Sequence, residues 1–371
     1  MKGRAIFPTG QLLGTVLAVQ ANFYRVRIEL EDKQGSSGNY QPDIPTDLLT
    51  PGPVILCTRR TRLKKIGQQV MVGDRVRITE ADLSGGRGAI ESVFPRQSQL
   101  DRPAIANVNQ VLLVFAVADP PLEPYQLSKF LIKAESTGLD VILCLNKSDL
   151  VSQIVQQEIG DRLRGWGYQP LLISLTQGSN LDQAATRLYQ RTTVVAGPSG
   201  VGKSSLINRL IPDVQLRVGE VSGKLARGRH TTRHVELFAL PSGGLLADTP
   251  GFNQPDLDCT PTELVHYFPE ARKRLALASC RFSDCLHRDE PDCVVRGDWE
   301  RYSHYLEFLT AAIARLTQLN QQSDAESTTK LKSKSKGESQ YEPKLESKKY
   351  RRVARKTQLQ ALDDLYQERD E

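Results

Sequence analysis

Gly197-Pro198-Ser199-Gly200-Val201-Gly202-Lys203-Ser204 has the composition and spacing of a loop that wraps phosphate. Its glycines let successive backbone N–H groups converge on phosphate oxygens, and a helix beginning at its end adds positive potential. The β-branched run Thr192–Ala196 before it and the helix-like Ser205–Leu210 after it supply the strand and helix such a loop requires. Lys203 would neutralise the β- and γ-phosphates, Ser204 would hold magnesium, and Ser205 completes the nucleotide-contacting set. Further on, Asp248-Thr249-Pro250-Gly251 ends the apolar run Gly244–Ala247. Asp248 is placed to reach magnesium, directly or through water, and Gly251 lets the backbone approach the γ-phosphate.

A second constellation reads a base. Asn146-Lys147-Ser148-Asp149 follows the apolar run Val141–Leu145. The Asp149 carboxylate can accept from guanine N1–H and from its exocyclic amine. Adenine lacks that donor pair and would leave a buried acceptor unpaired. Asn146 can address the opposite edge of the base, and the stem of Lys147 can lie along the ring. Ser174 and Leu175 form a partner loop whose N–H groups meet the guanine oxygen. A nucleotide kinase of the guanylate kinase type, which binds ATP, would share the phosphate loop but needs neither this base motif nor Asp248–Gly251. The set therefore predicts a GTPase, with GTP and magnesium as its ligands.

The order is permuted. Asn146–Asp149 and Ser174 precede Gly197–Ser204, and Asp248–Gly251 comes last, whereas the common order puts the phosphate loop first. Such a rearranged connection still assembles one site if the original termini lay close together.

Cys280, Cys285, His287 and Cys293 form a third group. Three thiolates and one imidazole make a closed tetrahedral zinc set with no open position for a substrate, so the expected role is structural. Cys57, Cys144 and Cys259 read as ordinary core or surface thiols.

The elements around these motifs suggest three folded parts. Residues 1–98 carry short β-branched runs (Gly14–Val19, Phe23–Ile28, Asp74–Ile78) separated by Gly/Ser-rich turns. They predict a small barrel, with an OB-like fold first and an SH3-like barrel as the alternative. Residues 99–256 alternate continuous apolar runs with helical patterns and predict an α/β P-loop domain with parallel strands. Residues 257–320 read as a helical zinc-binding domain. Residues 321–371 are basic, with disorder expected to about 347 and a short charged helix near the end. A content of 39% hydrophobic and 25% charged residues suits a soluble globular protein, and no apolar run reaches membrane-spanning length. The opening residues lack the apolar core of a secretory signal, so a cytoplasmic location is expected. The net charge of +6 gathers at Arg59–Lys65 and Lys348–Lys356. With the aromatics Phe23 and Tyr24, the first cluster gives the barrel an RNA-binding character.

The permuted motifs, the flanking barrel and the downstream cysteines together resemble the circularly permuted GTPases of small ribosomal subunit maturation, the RsgA family. The likeness covers roughly residues 10–318 and includes Arg227-Gly228-Arg229-His230-Thr231-Thr232, which is similar to that family's Gly-Arg-His-Thr-Thr switch. It implies a protein that binds the small ribosomal subunit and its rRNA, hydrolyses GTP to GDP faster when bound, and works as a monomer away from membranes. On this reading Thr232, with Thr231 as the alternative, is the switch residue on magnesium. Phe252 stands where many GTPases carry a water-orienting glutamine. The unaided rate should therefore be low, or another group must act. His230 is the candidate catalytic residue beside Lys203 and Thr232, and an exposed loop histidine is its plain alternative. A GTP-gated RNA-binding scaffold with incidental hydrolysis is the competing function.

Overall fold

The computed structural model describes residues 12–29, 52–101, 103–212, 214, 235–248, 257–326, 329–333 and 339–343. The chain divides into two compact units, residues 1–312 and 313–371.

The first unit opens with β1 (Leu12–Gln20), β2 (Phe23–Ile28), β3 (Val54–Arg59), β4 (Arg75–Asp82) and β5 (Arg87–Val93). They close into a barrel in the order β1-β2-β3-β5-β4, with β3 and β5 parallel and the other pairs antiparallel. This is the OB-like arrangement, a five-stranded Greek-key barrel. Alternate residues point inward, so Val16, Tyr24, Val26, Ile55, Ile78 and Ile90 fill its core. Tyr24 is thereby buried and cannot stack on a base, while Phe23 stays 48% exposed. The short helix α1 (Thr61–Lys65) follows β3 and carries part of the basic run. A small antiparallel hairpin, β6 (Gln99–Asp101) and β7 (Ala104–Ala106), leads out of the barrel.

The central sheet contains β8 (Gln110–Ala116), β9 (Asp140–Asn146), β10 (Leu171–Leu172), β11 (Thr192–Ala196), β12 (Leu237–Ala239) and β13 (Leu245–Asp248). Its order is β10-β9-β8-β11-β13-β12, parallel except for β12 against β13. Every residue of β8 is buried, as a central strand covered on both faces requires. Val111, Leu113 and Phe115 pack toward α2 (Pro124–Glu135) and α3 (Gln153–Gly165). Leu112, Val114 and Ala116 pack toward the other layer, with α4 (Leu181–Leu188) and α5 (Lys203–Leu210).

The permutation is visible in this order. The chain enters at β8, steps outward to β9 and β10, and returns on the other side of β8 as β11. Buried Gln110 fixes that return, since its Nε2 donates to Thr193 Oγ1 at 2.9 Å. The crevice between strands that leave in opposite directions is where open α/β sheets bind ligands, at the carboxyl ends of the strands.

After the sheet come a short 3-10 turn (Leu264–Tyr267), α6 (Pro269–Leu277) and α7 (Tyr302–Glu326), with the cysteine segment between the helices. The disorder expected from residue 321 to about 347 does not hold throughout. The helix α7 runs on to Glu326, and β14 (Thr329–Ser333) pairs antiparallel with β15 (Ser339–Pro343). The charged helix expected near the end lies outside the described residues. No helix among the described residues is long and apolar enough to cross a membrane.

Candidate nucleotide and metal sites

The nucleotide motifs converge on one edge of the sheet. Asn146 ends β9, the phosphate loop leaves β11 after Ala196, and Asp248 ends β13, all at carboxyl ends. Asp248 lies in register with Val195, two residues before the loop begins. Asn146, Lys147, Asp149, Leu150, Leu175, Thr176, Gly200, Gly202 and Ser205 line a single cleft of about 400 Å³, a size ordinary for a small-molecule site.

Two glycines of the loop are dictated by contact. A Cβ on Gly197, at φ +141°, would meet the Val114 carbonyl oxygen at 2.0 Å, and one on Gly202, at φ +99°, would meet Asn146 Nδ2 at 2.4 Å. A side chain at Gly197 would run into the β8 backbone, and one at Gly202 would displace the Asn146 amide. Gly202 caps α5, so the free N–H groups of the first turn of α5 open toward the loop. The Lys203 ammonium curls back under it, donating to the carbonyls of Gly197 at 2.9 Å and Pro198 at 2.6 Å. Burial pulls the pKa of Lys203 below its usual value, against the opposing charge of Asp248. A partly desolvated ammonium held this way is set to meet phosphate charge.

The base motif is built from a left-handed turn. Lys147 at φ +62° directs the chain into the 3-10 turn Ser148–Leu150. Its ammonium donates to the Asp119 carbonyl and lies 3.5 Å from the Asp119 carboxylate, which stretches the lysine stem along the cleft wall. Asp149 Oδ1 is buried and has no hydrogen-bond partner among the described residues. A lone buried acceptor beside a cleft fits a ligand that brings its own donors, as guanine does. The amide of Asn146 bridges two loops. Its Nδ2 donates to Val201 O at 2.8 Å, and its Oδ1 accepts from Leu175 N at 3.4 Å. It therefore braces the phosphate loop against the Ser174–Leu175 loop. Ser174 is fully buried, and its hydroxyl accepts from Gln177 N at 3.0 Å. His230, Thr231, Thr232, Gly251 and Phe252 lie outside the described residues.

The metal group is equally compact. Nδ1 of His287 lies 3.5 Å from the sulfur of Cys280 and 3.4 Å from those of Cys285 and Cys293, and the Cys280 and Cys293 sulfurs are 3.9 Å apart. Bond lengths usual for tetrahedral zinc put sulfurs about 3.8 Å apart and sulfur and nitrogen about 3.5 Å apart. Four of the six edges thus already have zinc-like lengths, and all four ligand atoms lie within 4.8 Å of one another. Burial pushes the Cys285 thiol up to about 12, and its thiol neighbours add to the effect, so a dication is what would make it the ligating thiolate.

Side chains that sequence reasoning passed over hold this loop. Tyr305 OH donates to Leu286 O at 2.7 Å, and Tyr302 OH donates to His287 O at 2.9 Å. Glu290 accepts from the N–H groups of Leu286 and Arg288 at 2.9 and 2.7 Å. Burial works against its charge, but these backbone donors outweigh it and hold Glu290 at about 2. The larger omission is Arg301, a charged residue in a polar stretch that gave no sign of burial. It is fully buried, forks onto Glu270 at 2.8 and 2.5 Å, and lies over the rings of Trp166 and Phe268 at 4.8 and 4.9 Å.

An α/β sheet carrying a phosphate loop, with the base motif ahead of it in the chain, defines a circularly permuted P-loop GTPase. Residues 93–258 match the model of the RsgA GTPase family. The small ribosomal subunit biogenesis GTPase RsgA of Trichormus variabilis is 72% identical over 368 residues, spanning 98% of this chain and 100% of the relative. The chain belongs to the RsgA family of GTPases and hydrolyses GTP. Two solved structures share its fold. YloQ, a circularly permuted GTPase, has a TM-score of 0.66 at 31% identity, covering 84% of this chain and 99% of that one. YjeQ from Thermotoga maritima has a TM-score of 0.65 at 29% identity, covering 82% of this chain and 100% of that one.

Proposed function

We propose that this chain is a GTPase of small ribosomal subunit maturation, whose hydrolysis is stimulated by the subunit it binds. The observation that carries the reading is the cleft itself, where the unpartnered Asp149 Oδ1 and the phosphate loop share one sheet edge. The likeness to curated relatives named for small-subunit biogenesis supports the partner.

In this reading Asp149 selects guanine, the Lys147 stem covers the ring, and Asn146 holds the base and phosphate walls at fixed spacing. The loop Gly197–Ser204 takes the phosphates, with Lys203 supplying the positive charge. Ser204, Asp248 and Thr232 would hold magnesium, which would supply positive charge against the phosphates. Phe252 cannot orient a water, so His230 is assigned that role in the subunit-bound protein. The zinc residues Cys280, Cys285, His287 and Cys293 act structurally.

The barrel supplies the rRNA-facing surface. Arg62, Lys64 and Lys65 are exposed on α1, whereas Arg59 is bonded to Gln68 O and Arg60 to Glu80. The protein works as a cytoplasmic monomer. The test is phosphate release with and without purified small subunits, which should be slow alone and much faster with them. Equal slow rates would favour a GTP-gated RNA-binding scaffold.

A further inference from the structure

The segment that follows the metal loop touches both the metal loop and the nucleotide domain. On one side Tyr302 and Tyr305 hold the carbonyls of His287 and Leu286, and Trp299 Nε1 donates to Val295 O at 2.9 Å. On the other side Glu300 Oε2 accepts from Trp166 Nε1 at 2.6 Å and Glu300 also pairs with Arg162, while Arg301 lies over Trp166 and Tyr168. Arg162 belongs to α3, and Trp166 and Tyr168 follow directly from its end.

The first turn of α3, about 15 Å from Trp166 at the rise of a helix, is fastened to the base motif. Gln156 Nε2 donates to Ser148 O at 2.9 Å and to Val151 O at 3.3 Å. Ser148 immediately precedes Asp149. One rigid helix therefore has the guanine-reading turn at its start and the side chains attached to the zinc loop at its end.

The zinc loop is the two-state part. Residues 278–301 contain no helix or strand, so side-chain contacts give this stretch its shape: the four ligands, the carbonyl contacts above and the Glu290 bonds to Leu286 and Arg288. Without a cation, three crowded thiols have no common partner, and small loops of this type lose their fold. Loss of that shape would remove the anchors of Tyr302 and Tyr305, free Glu300 and Arg301, and uncover Trp166, which is 2% exposed.

We propose that zinc occupancy and guanine-nucleotide affinity are coupled through α3, with Glu300 and Arg301 as the positioning residues that carry the coupling. The inference rests on the assignment of the cleft to guanine. Coupling between binding sites is reciprocal, so nucleotide must strengthen zinc binding by the factor by which zinc strengthens nucleotide binding.

The experiment uses the full chain with magnesium present throughout. A fluorescent GDP is titrated into zinc-loaded protein and into protein stripped with a zinc-selective chelator, and zinc release is followed with and without GDP. Circular dichroism checks that the nucleotide domain remains folded. Removing zinc should weaken GDP by roughly 5- to 100-fold, within the usual span of coupling factors, and GDP should slow zinc loss. Glu300→Gln, and independently Trp166→Phe, which removes the indole donor and keeps a smaller aromatic ring, should keep a full complement of zinc while the coupling factor falls at least threefold. Arg301→Lys retains charge without the fork and should behave likewise. If it fails to fold, the other two variants decide. Equal GDP affinity in folded loaded and stripped protein would overturn the coupling. Coupling unchanged in Glu300→Gln and Trp166→Phe would overturn the assignment to these residues. No GDP binding in either state would instead overturn the guanine site.

Discussion

Asn146 and Val201 are joined by a buried hydrogen bond, Nδ2 to carbonyl oxygen at 2.8 Å, across 55 residues of chain. One side chain at the end of β9 thereby sets the distance between the Asn146–Asp149 turn and the phosphate loop. Asn146→Ala would leave the Val201 carbonyl and the Leu175 N–H without their partner. Such a loss costs about 1–3 kcal/mol. GDP affinity should fall roughly 10- to 100-fold, with a lowered melting temperature. Titration of fluorescent GDP checks this, and wild-type affinity would show that the bond does not position the site.

The proposed base choice rests on Asp149. Asp149→Asn exchanges an acceptor pair for one acceptor and one donor, which no longer matches guanine's N1–H and amine but suits the C2 carbonyl of xanthine. GTP binding should weaken by tenfold or more, on the order of one lost charged hydrogen bond, and xanthosine triphosphate should gain. Competition between GTP, ATP and xanthosine triphosphate measures it. A wild type indifferent between ATP and GTP would refute the assignment.

Metal removal gives a separate test. Elemental analysis of protein prepared without chelators should find about one zinc per chain, and X-ray absorption should show three sulfurs and one nitrogen. Cys285→Ser should lose the metal and loosen residues 257–312 while nucleotide binding persists at reduced affinity. Protein free of zinc would contradict the reading.

Glu300 gives a pH dependence. Burial disfavours its charge, but the hydrogen bonds from Arg162 and Trp166 prevail and hold its pKa below the ordinary carboxylate value of 4.5. A carboxylate depressed in the folded state adds stability above that ordinary value and loses it as pH falls toward the folded pKa. Thermal melts between neutral pH and pH about 4 should show the wild type losing stability that Glu300→Gln lacks from the outset. Parallel curves for the two proteins would remove Glu300 from the interface account.

The fold was legible where periodicity and motif spacing speak together. Continuous apolar runs marked β8 and β9, and the motifs fall at the ends of β9, β11 and β13. The cysteine spacing likewise marked the metal group, because ligand chemistry restricts residue type. What stayed hidden depends on contacts distant in sequence. Arg301 reads as an ordinary charge, and only the packing of Trp166, Phe268 and Glu270 around it reveals a buried ion pair. Asn146 reads as a base contact because the motif names residue types and not their partners; its bond to Val201 required the folded sheet. Tyr24 and Phe23 are adjacent aromatics of the same propensity, and strand alternation alone decides that one is inside and the other out.

The most direct test of the account is single-turnover GTP hydrolysis, with and without small ribosomal subunits, in wild type, His230→Ala and Lys203→Ala. The wild type should be slow alone and strongly accelerated by subunits. His230→Ala should lose about a hundredfold or more of the stimulated rate with little change in nucleotide affinity, the mark of a group acting on the transition state. Lys203→Ala should lose both affinity and rate, because its ammonium meets phosphate in the ground state too. A wild type equally slow in the presence and absence of subunits would contradict the account.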